Sequence, residues 1–444
     1  MRIRQDIIDT SKLAYPVLIG QLGHMMMGVV DSIMVGRVGA TPLAASSVAH
    51  GLFVLIMIFG IGVSMAISPL VSMAKGSQNQ EQCGLVFRQA LMVNIVLSIL
   101  LCTAAYFGAV LIRYLNQPPE VAEQAVAYMR ILALSIIPVM LFQTYRQFSE
   151  GLSIMTPPMI ITLMANLVNI FANWILIFGN LGSPALGLEG AGWATFITRS
   201  MMGLTLLLYM IKSTRFKFYD VRFYFTRLHR EMIRKILKIG VPSGVQYFFE
   251  VGAFAGAAVI IGWLGTKQLA AHQIAINLAS ISFMFALSIS AAGAIRVGHA
   301  VGKKNISAIR TAGFGAIYLS AAVMGCFGIL FILFRYILPS LYIDDQHVIS
   351  IASSLVVIAA FFQLSDGIQA AGIGVLRGIA DTRIPMVITF VAYWVVGLPG
   401  GYLLGFYLNM GVQGIWIGLL LALTLSAVLL TWRFYAGSKK EITI

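Results

Sequence analysis

Residues 38–49 read VGATPLAASSVA, and residues 264–275 read LGTKQLAAHQIA. The two stretches align without a gap at an offset of 226 residues, a register that also sets Pro16 over Pro242, Gly39 over Gly265 and Gly76 over Gly302. Further on, with one extra residue of offset, GLSIMTPPMIIT from Gly151 lies over GIADTRIPMVIT from Gly378. Self-similarity at one long period marks a chain built as two copies of one unit.

Composition says what that unit is. Hydrophobic residues make up 59% of the chain, charged residues only 10%, and the mean hydropathy is +0.89. Soluble domains carry about 25% charged residues. Twelve apolar stretches follow one another at about 13–36, 48–74, 89–112, 126–147, 158–180, 188–211, 239–263, 273–299, 311–334, 349–373, 384–406 and 412–435. Each is long enough to cross a hydrocarbon layer roughly 30 Å thick as a helix. The predicted fold is an all-α polytopic membrane protein of twelve transmembrane helices. It comprises an N-terminal lobe (1–211), a basic cytoplasmic linker (212–238) and a C-terminal lobe (239–444). Six is even, so the two six-helix bundles share one orientation, which implies a pseudo-twofold axis along the membrane normal and a central cleft.

The net charge of +14 is spread over alternate loops rather than gathered on one module, which argues against a nucleic-acid partner. With both termini on one side, that side carries 24 Lys and Arg against four opposite, namely Arg37, Arg113, Lys267 and Arg335. The positive-inside rule then makes both termini cytoplasmic. Short loops suggest a bacterial inner membrane. The polar start RIRQDIIDTSK lacks the pattern of a cleavable leader, so the first apolar stretch is expected to stay as a span. The linker mixes basic and aromatic residues and reads as an interfacial helix on anionic lipid. Cys83, Cys102 and Cys326 lack metal-ligand spacing and read as apolar filler. No P-loop, HExxH, GxSxG or CxxC occurs, so neither an enzyme nor an ATP-driven pump is expected, and no cofactor.

Three acids interrupt the apolar runs: Asp31 in GVVDSIMVG, Glu250 in VQYFFEVGAFAG and Asp366 in FFQLSDGIQAAG. A charge in mid-span costs roughly 2.5–3.5 kcal/mol on insertion scales and persists where a polar cavity, a partner or a bound cation compensates it. All three break the repeat, since Asp31 aligns with Ala257, Glu250 with His24 and Asp366 with Val139. The fold alone does not explain them. Arg199 is the one deep basic candidate partner, and one Arg cannot neutralise three acids. Converging carboxylates would share a cation or hold a proton, and either behaviour couples transport to an ion gradient. A receptor or scaffold would explain the spans but not acids that break the symmetry.

These residues carry a resemblance. GVVDSIMVGRVGATPLAA, VPSGVQYFFEVGAF, LAAHQIAINLASISFMF, IRVGHAVG and LSDGIQAAGIGVLRGIADTRIP are together similar to the multidrug and toxic-compound extrusion (MATE) transporters, NorM-type branch, over essentially all twelve spans. The resemblance implies a monomeric secondary antiporter that exports lipophilic organic cations, drugs and dyes, in exchange for Na⁺ or H⁺ by rocker-type alternating access. Distant relatives flip lipid-linked glycan or peptidoglycan precursors, which is the alternative; membrane lipids are partners in either case.

Residue by residue, the resemblance places Glu250 and Asp366 in a coupling-cation site, where they would be the metal ligands if Na⁺ is the ion. It places Asp31 in a first-half cavity that handles substrate or protons. Hard oxygen ligands suit Na⁺, and carboxylates alone can serve H⁺. Phe283 stands where relatives have an aromatic residue near the cation, a cation–π contact in one reading and helix packing in the other. Asn277 could lend an oxygen to the ion or bond a neighbouring helix. Gln273 lines the drug cavity by resemblance, or caps a helix. Asp344 and Asp345 match an acidic pair at the external mouth that would attract cations, or form a solvated turn. Met25, Met26 and Met27 suit an adaptable cavity, though Met is also ordinary filler. Pro16 and Pro242 mark helix bends, static or moving.

Overall fold

Twelve apolar helical segments make up the computed structural model, which describes residues 2–219, 221 and 228–439, and no strand occurs among the described residues. The first six are α1 (Gln5–Gly36), α2 (Ala40–Gly76), α3 (Gln80–Tyr114), α4 (Pro119–Gly151), α5 (Thr156–Phe178) and α6 (Gly187–Lys212). The second six are α7 (Arg230–Gly262), α8 (Thr266–Gly302), α9 (Ile306–Leu333), α10 (Gln346–Gly378), α11 (Arg383–Tyr407) and α12 (Gly411–Gly437). A membrane permits this and little else, because each backbone amide must find its partner within its own segment. The chain is therefore a multi-pass membrane protein, as its composition predicts.

The repeat is written into backbone detail. Asn79 and Asn305, 226 residues apart, each cap a helix by accepting the amide of the third residue on, Gln82 and Ala308. That capping bond satisfies one of the orphan amides of a helix start. Just before each cap, Gln78 and Lys304 adopt left-handed backbone at φ 59° and 54°, and Ser153 and Ala380 form a second such pair at 59° and 61°. These angles are uncommon for residues with a Cβ.

By internal contacts the chain divides into two units, residues 19–244 and residues 1–18 with 245–444. This differs from lobes drawn at 1–211 and 239–444. The boundaries fall inside α1, after Leu18, and inside α7, after Gly244, rather than in the 212–238 stretch. Composition reports where a chain leaves the membrane; it does not report where a continuous helix changes partners. Pro16 and Pro242 lie inside these helices, close to the boundaries. Of the stretch expected to lie as an interfacial helix, Thr214–Tyr219 is a 3₁₀ turn whose Phe216 is buried against Phe148 and Tyr209, and Arg230 already begins α7. Residues 220 and 222–227 of that stretch lie outside the described residues.

Within the 19–244 unit, Phe53, Met57, Tyr128 and Met129 belong to one core. Arg146, counted above with the loop charges, is instead buried and paired with Glu150 at 2.6 Å. In the other unit α10 packs tightly on α8 and α9 because it presents glycine to them. A Cβ at Gly378 would meet the Ala294 carbonyl at 2.8 Å, and one at Gly367 would meet Met324 Cγ at 2.6 Å. Small residues let helix backbones approach in a membrane, where dispersion and hydrogen bonds drive association. The Ser290 hydroxyl donates to the Ala370 carbonyl at 2.6 Å and the Ser320 hydroxyl to that of Gly367 at 2.8 Å, locking α10 in place.

Candidate functional site

Asp366 lies on the helix that glycine packing buries. Its side chain and that of Glu250 on α7 belong to residues only 6% and 7% exposed. Gln369, one turn after Asp366, donates from Nε2 to Glu250 Oε1 at 3.2 Å and accepts from the Tyr393 hydroxyl at 3.1 Å. Tyr393 is fully buried and sits in a π-wound stretch of α11, Val391–Gly397. Such widened turns re-aim a side chain and recur at functional sites. The Arg377 guanidinium lies 5.7 Å from the Tyr247 ring centre, and its charge acts on Glu250.

Asp366 differs from its neighbour. It makes no hydrogen bond among the described residues, and the charge it feels is that of Glu250. Buried polar groups are normally satisfied. Arg377 offsets one of the two carboxylate charges, at Glu250, and leaves the other, at Asp366, so the arrangement suits one bound cation or proton. One turn before Asp366, Gln363 donates to Ser282 Oγ at 2.7 Å, while its buried Oε1 has no donor. Carboxylate, amide and phenol oxygens form a hard donor set of the kind a group 1 cation takes. Among the described residues no group of three or more His, Cys, Asp or Glu side chains is placed to hold a metal ion.

The first-half acid is placed otherwise. Asp31 borders a cavity of about 320 Å³ inside the 19–244 unit, with His24, His50, Phe53, Tyr128 and Arg199 around it. Its Oδ1 accepts from Asn173 Nδ2 at 2.6 Å, and its Oδ2 lies 3.3 Å from Thr195 Oγ1. Asn173 also donates to Asn169 Oδ1 at 3.2 Å, one turn back on α5. Arg199 donates to Ser135 Oγ at 2.6 Å and stacks 4.9 Å from the Phe53 ring centre, so Arg199 acts on Asp31 through its charge. Met25, Met27 and Met57 line the same cavity, whereas Met26 is 52% exposed.

The MatE family profile matches residues 16–175 and 242–403, two blocks that start 226 residues apart. The chain belongs to the MatE family. It is 36% identical over 436 residues to the multidrug resistance protein NorM of Aliivibrio fischeri, covering 97% of this chain and 95% of that one. With the multidrug resistance protein MdtK of Photorhabdus laumondii it shares 37% over 427 residues, 95% and 93% of the two chains. Among solved structures it resembles the eukaryotic MATE transporter AtDTX14, with a TM-score of 0.89 at 20% identity over 100% of both chains. It also resembles a MOP superfamily transporter from Pyrococcus furiosus, with a TM-score of 0.88 at 19% identity over 99% and 97%.

The remaining candidates of this MatE chain are spread out. Phe283 is half-buried and packs with Phe327 on Ala286, Met324 and Ala370, the last of these one turn beyond Asp366. Asn277 is exposed on α8 and makes no hydrogen bond among the described residues. Gln273 is exposed inside α8, whose cap is Gly265, so it is not a helix cap. Asp345 caps α10, accepting from the His347 amide at 2.9 Å, and pairs with Lys267 at 3.0 Å. Lys267 and the capped amides hold its carboxyl below the usual carboxylate range. Asp344 beside it is exposed. Sequence reading missed Gln369, Tyr393, Asn169, Asn173 and Thr195. The available signal was spacing: Gln363, Asp366 and Gln369 recur every third residue, and Asn169 and Asn173 stand four apart, which puts each set on one helix face.

Proposed function

We propose that this chain is a secondary antiporter that exports lipophilic organic cations, drugs and dyes among them, in exchange for Na⁺ or H⁺. The observation that carries the reading is Asp366, a buried carboxyl with no hydrogen bond among the described residues, held beside Glu250. Arg377 lends its charge to Glu250 but not to Asp366, so Asp366 is the acid that a cation or proton would complete, which gives the ion a state-dependent affinity. Differential affinity of this kind is what lets an ion drive a conformational equilibrium. In this reading the ion binds at Glu250 and Asp366, Gln369 and Tyr393 orient Glu250, and the cavity at Asp31 takes the cationic substrate. Its aromatic and methionine walls supply apolar contact without demanding one shape.

The two halves would then alternate access by rocking, with bends near Pro16 and Pro242 in the two helices that run from one unit into the other. Relatives named as multidrug resistance proteins, matched along nearly their whole length, support the substrate class, and a monomer in a bacterial inner membrane with a non-enzymatic role is part of the same proposal. A flippase for lipid-linked glycan or peptidoglycan precursors finds less support, since three acids, Asp31, Glu250 and Asp366, stand within the spans. The test is ethidium efflux from proteoliposomes under an imposed Na⁺ gradient and then a pH gradient, with wild type beside Asp366→Asn. Efflux driven by one gradient and lost in the variant is the expected result. No efflux under either gradient, from protein shown to be folded, overturns the proposal.

A further inference from the structure

A second cavity of about 340 Å³ has no part in the antiport reading. It is an apolar groove on the 19–244 unit, floored by Phe59 and Val63 of α2 and walled by Val96 and Leu100 of α3 and by Leu237 and Val241 of α7. Val96 and Leu100 are 59% and 61% exposed, so the groove opens away from the core. Both walls lie in spans, and an exposed apolar groove at that depth meets lipid tails rather than water.

One end of the groove is basic. Arg230, Arg234 and Lys238 recur every fourth residue on the same side of α7 as Ile233, Leu237 and Val241, so a row of positive charge runs beside the apolar row. On α3, Arg88 stands one turn before Met92, with its guanidinium turned back towards Gly84 rather than into the groove. The His229 amide donates to Gln89 Oε1 at 3.0 Å, which places the starts of α3 and α7 on one membrane face, each also carrying an acid, Glu81 and Glu231. Basic clusters at a membrane surface attract anionic lipid headgroups. The repeat duplicates this pattern only in part. At the offset of 226, Arg230, Ile233 and Lys238 meet Arg4, Ile7 and Lys12, whereas Arg234, Leu237 and Val241 meet Ile8, Ser11 and Tyr15.

We propose that this groove binds one anionic phospholipid, an acyl chain lying along Val96, Leu100, Leu237 and Val241 and the phosphate held by Arg230 and Arg234. The lipid then grips α7 just before Gly244, where that helix leaves the unit. The inference is independent of the ion and the substrate. It is tested by native mass spectrometry of the full-length protein titrated with phosphatidylglycerol, phosphatidylcholine and inorganic phosphate. One phosphatidylglycerol per chain is expected to be retained in preference to phosphatidylcholine. Arg230→Gln with Arg234→Gln is expected to weaken phosphatidylglycerol on the order of tenfold and to leave phosphatidylcholine unchanged, while Leu237→Trp, which fills the groove, weakens retention at unaltered charge. Equal retention of the two lipids by wild type, or phosphatidylglycerol unaffected by the double variant, reduces the groove to ordinary lipid contact and overturns the proposal. Displacement by inorganic phosphate alone would overturn the acyl part. Should the double variant not fold, a diazirine-acyl phosphatidylglycerol crosslinked to wild type decides: adducts within 92–100 or 233–241 support the site, and adducts elsewhere refute it.

Discussion

The two halves of this protein share a scaffold and differ in how they treat an acid. In the first half Asp31 has an amide donor at 2.6 Å, a hydroxyl at 3.3 Å and a cavity beside it. In the second, Glu250 has one amide at 3.2 Å, and Asp366 has no hydrogen bond among the described residues. A carboxylate held by neutral donors can stay charged with no resident ion and so face a substrate that comes and goes; one left bare in a low dielectric needs a cation or a proton. The repeat position of Glu250 is held by His24, so one place in the fold carries an acid in one copy and an imidazole in the other. Symmetry supplies the frame, and the departures from it supply the chemistry.

Substituting the bare acid is the hardest test of that contrast. Asp366→Asn is expected to lower gradient-driven ethidium efflux roughly a hundredfold, while Asp31→Asn raises the substrate KM about tenfold and keeps the ion dependence, as for charged contacts of 1.5–3 kcal/mol. If Asp31→Asn abolished the ion dependence and Asp366→Asn spared it, the roles would be exchanged. Next in size is Asn173→Leu, which removes a donor from Asp31 and should cost about 1–3 kcal/mol in thermal or denaturant unfolding. An unaltered midpoint would show that the Asp31 cluster is not held by its amides. For the second-half site, Gln369→Leu should raise the half-saturating concentration of the driving ion by about tenfold, and Tyr393→Phe, one bond further out, by about threefold. Equal effects would mean that the tyrosine touches the ion itself.

Smallest is Asp345, an acid outside both sites. Its folded carboxyl is held below the unfolded value by Lys267 and the helix amides, so its contribution to stability is present above about pH 4 and is lost as pH falls through the lower folded pKa. Asp345→Asn should therefore flatten the acid limb of a stability profile slightly and leave efflux near neutral pH unaltered. A large loss of efflux in this variant would give the outer acidic pair a part in transport.

The spans were legible because an apolar run has one solution in a bilayer, and the acids because they break such runs. Helix ends were read short. α7 starts at Arg230 and α8 at Thr266, ahead of the apolar stretches from 239 and 273, because backbone hydrogen bonding continues into polar residues beyond the hydrocarbon. Gln369 and Asn173 were invisible for the opposite reason: a neutral amide barely lowers the hydropathy of a long run, yet it sets the geometry of an acid three-dimensionally near and distant in sequence. Tyr393 depends on a π-wound turn that residue pattern does not announce. Asp345 has a structural role that the resemblance does not mention, since it caps a helix.

The crossing of α1 has a consequence for how the molecule is made. Residues 1–18 belong with residues 245–444, and Arg296 reaches back to bond Asp6 and, at 2.7 Å, Thr10. At ordinary rates of translation, the segment made first waits roughly tens of seconds for partners made after it. The intervening unit, residues 19–244, is contiguous and can complete its packing in the meantime. A fusion or tag ahead of α1 would therefore burden the half of the protein synthesised last.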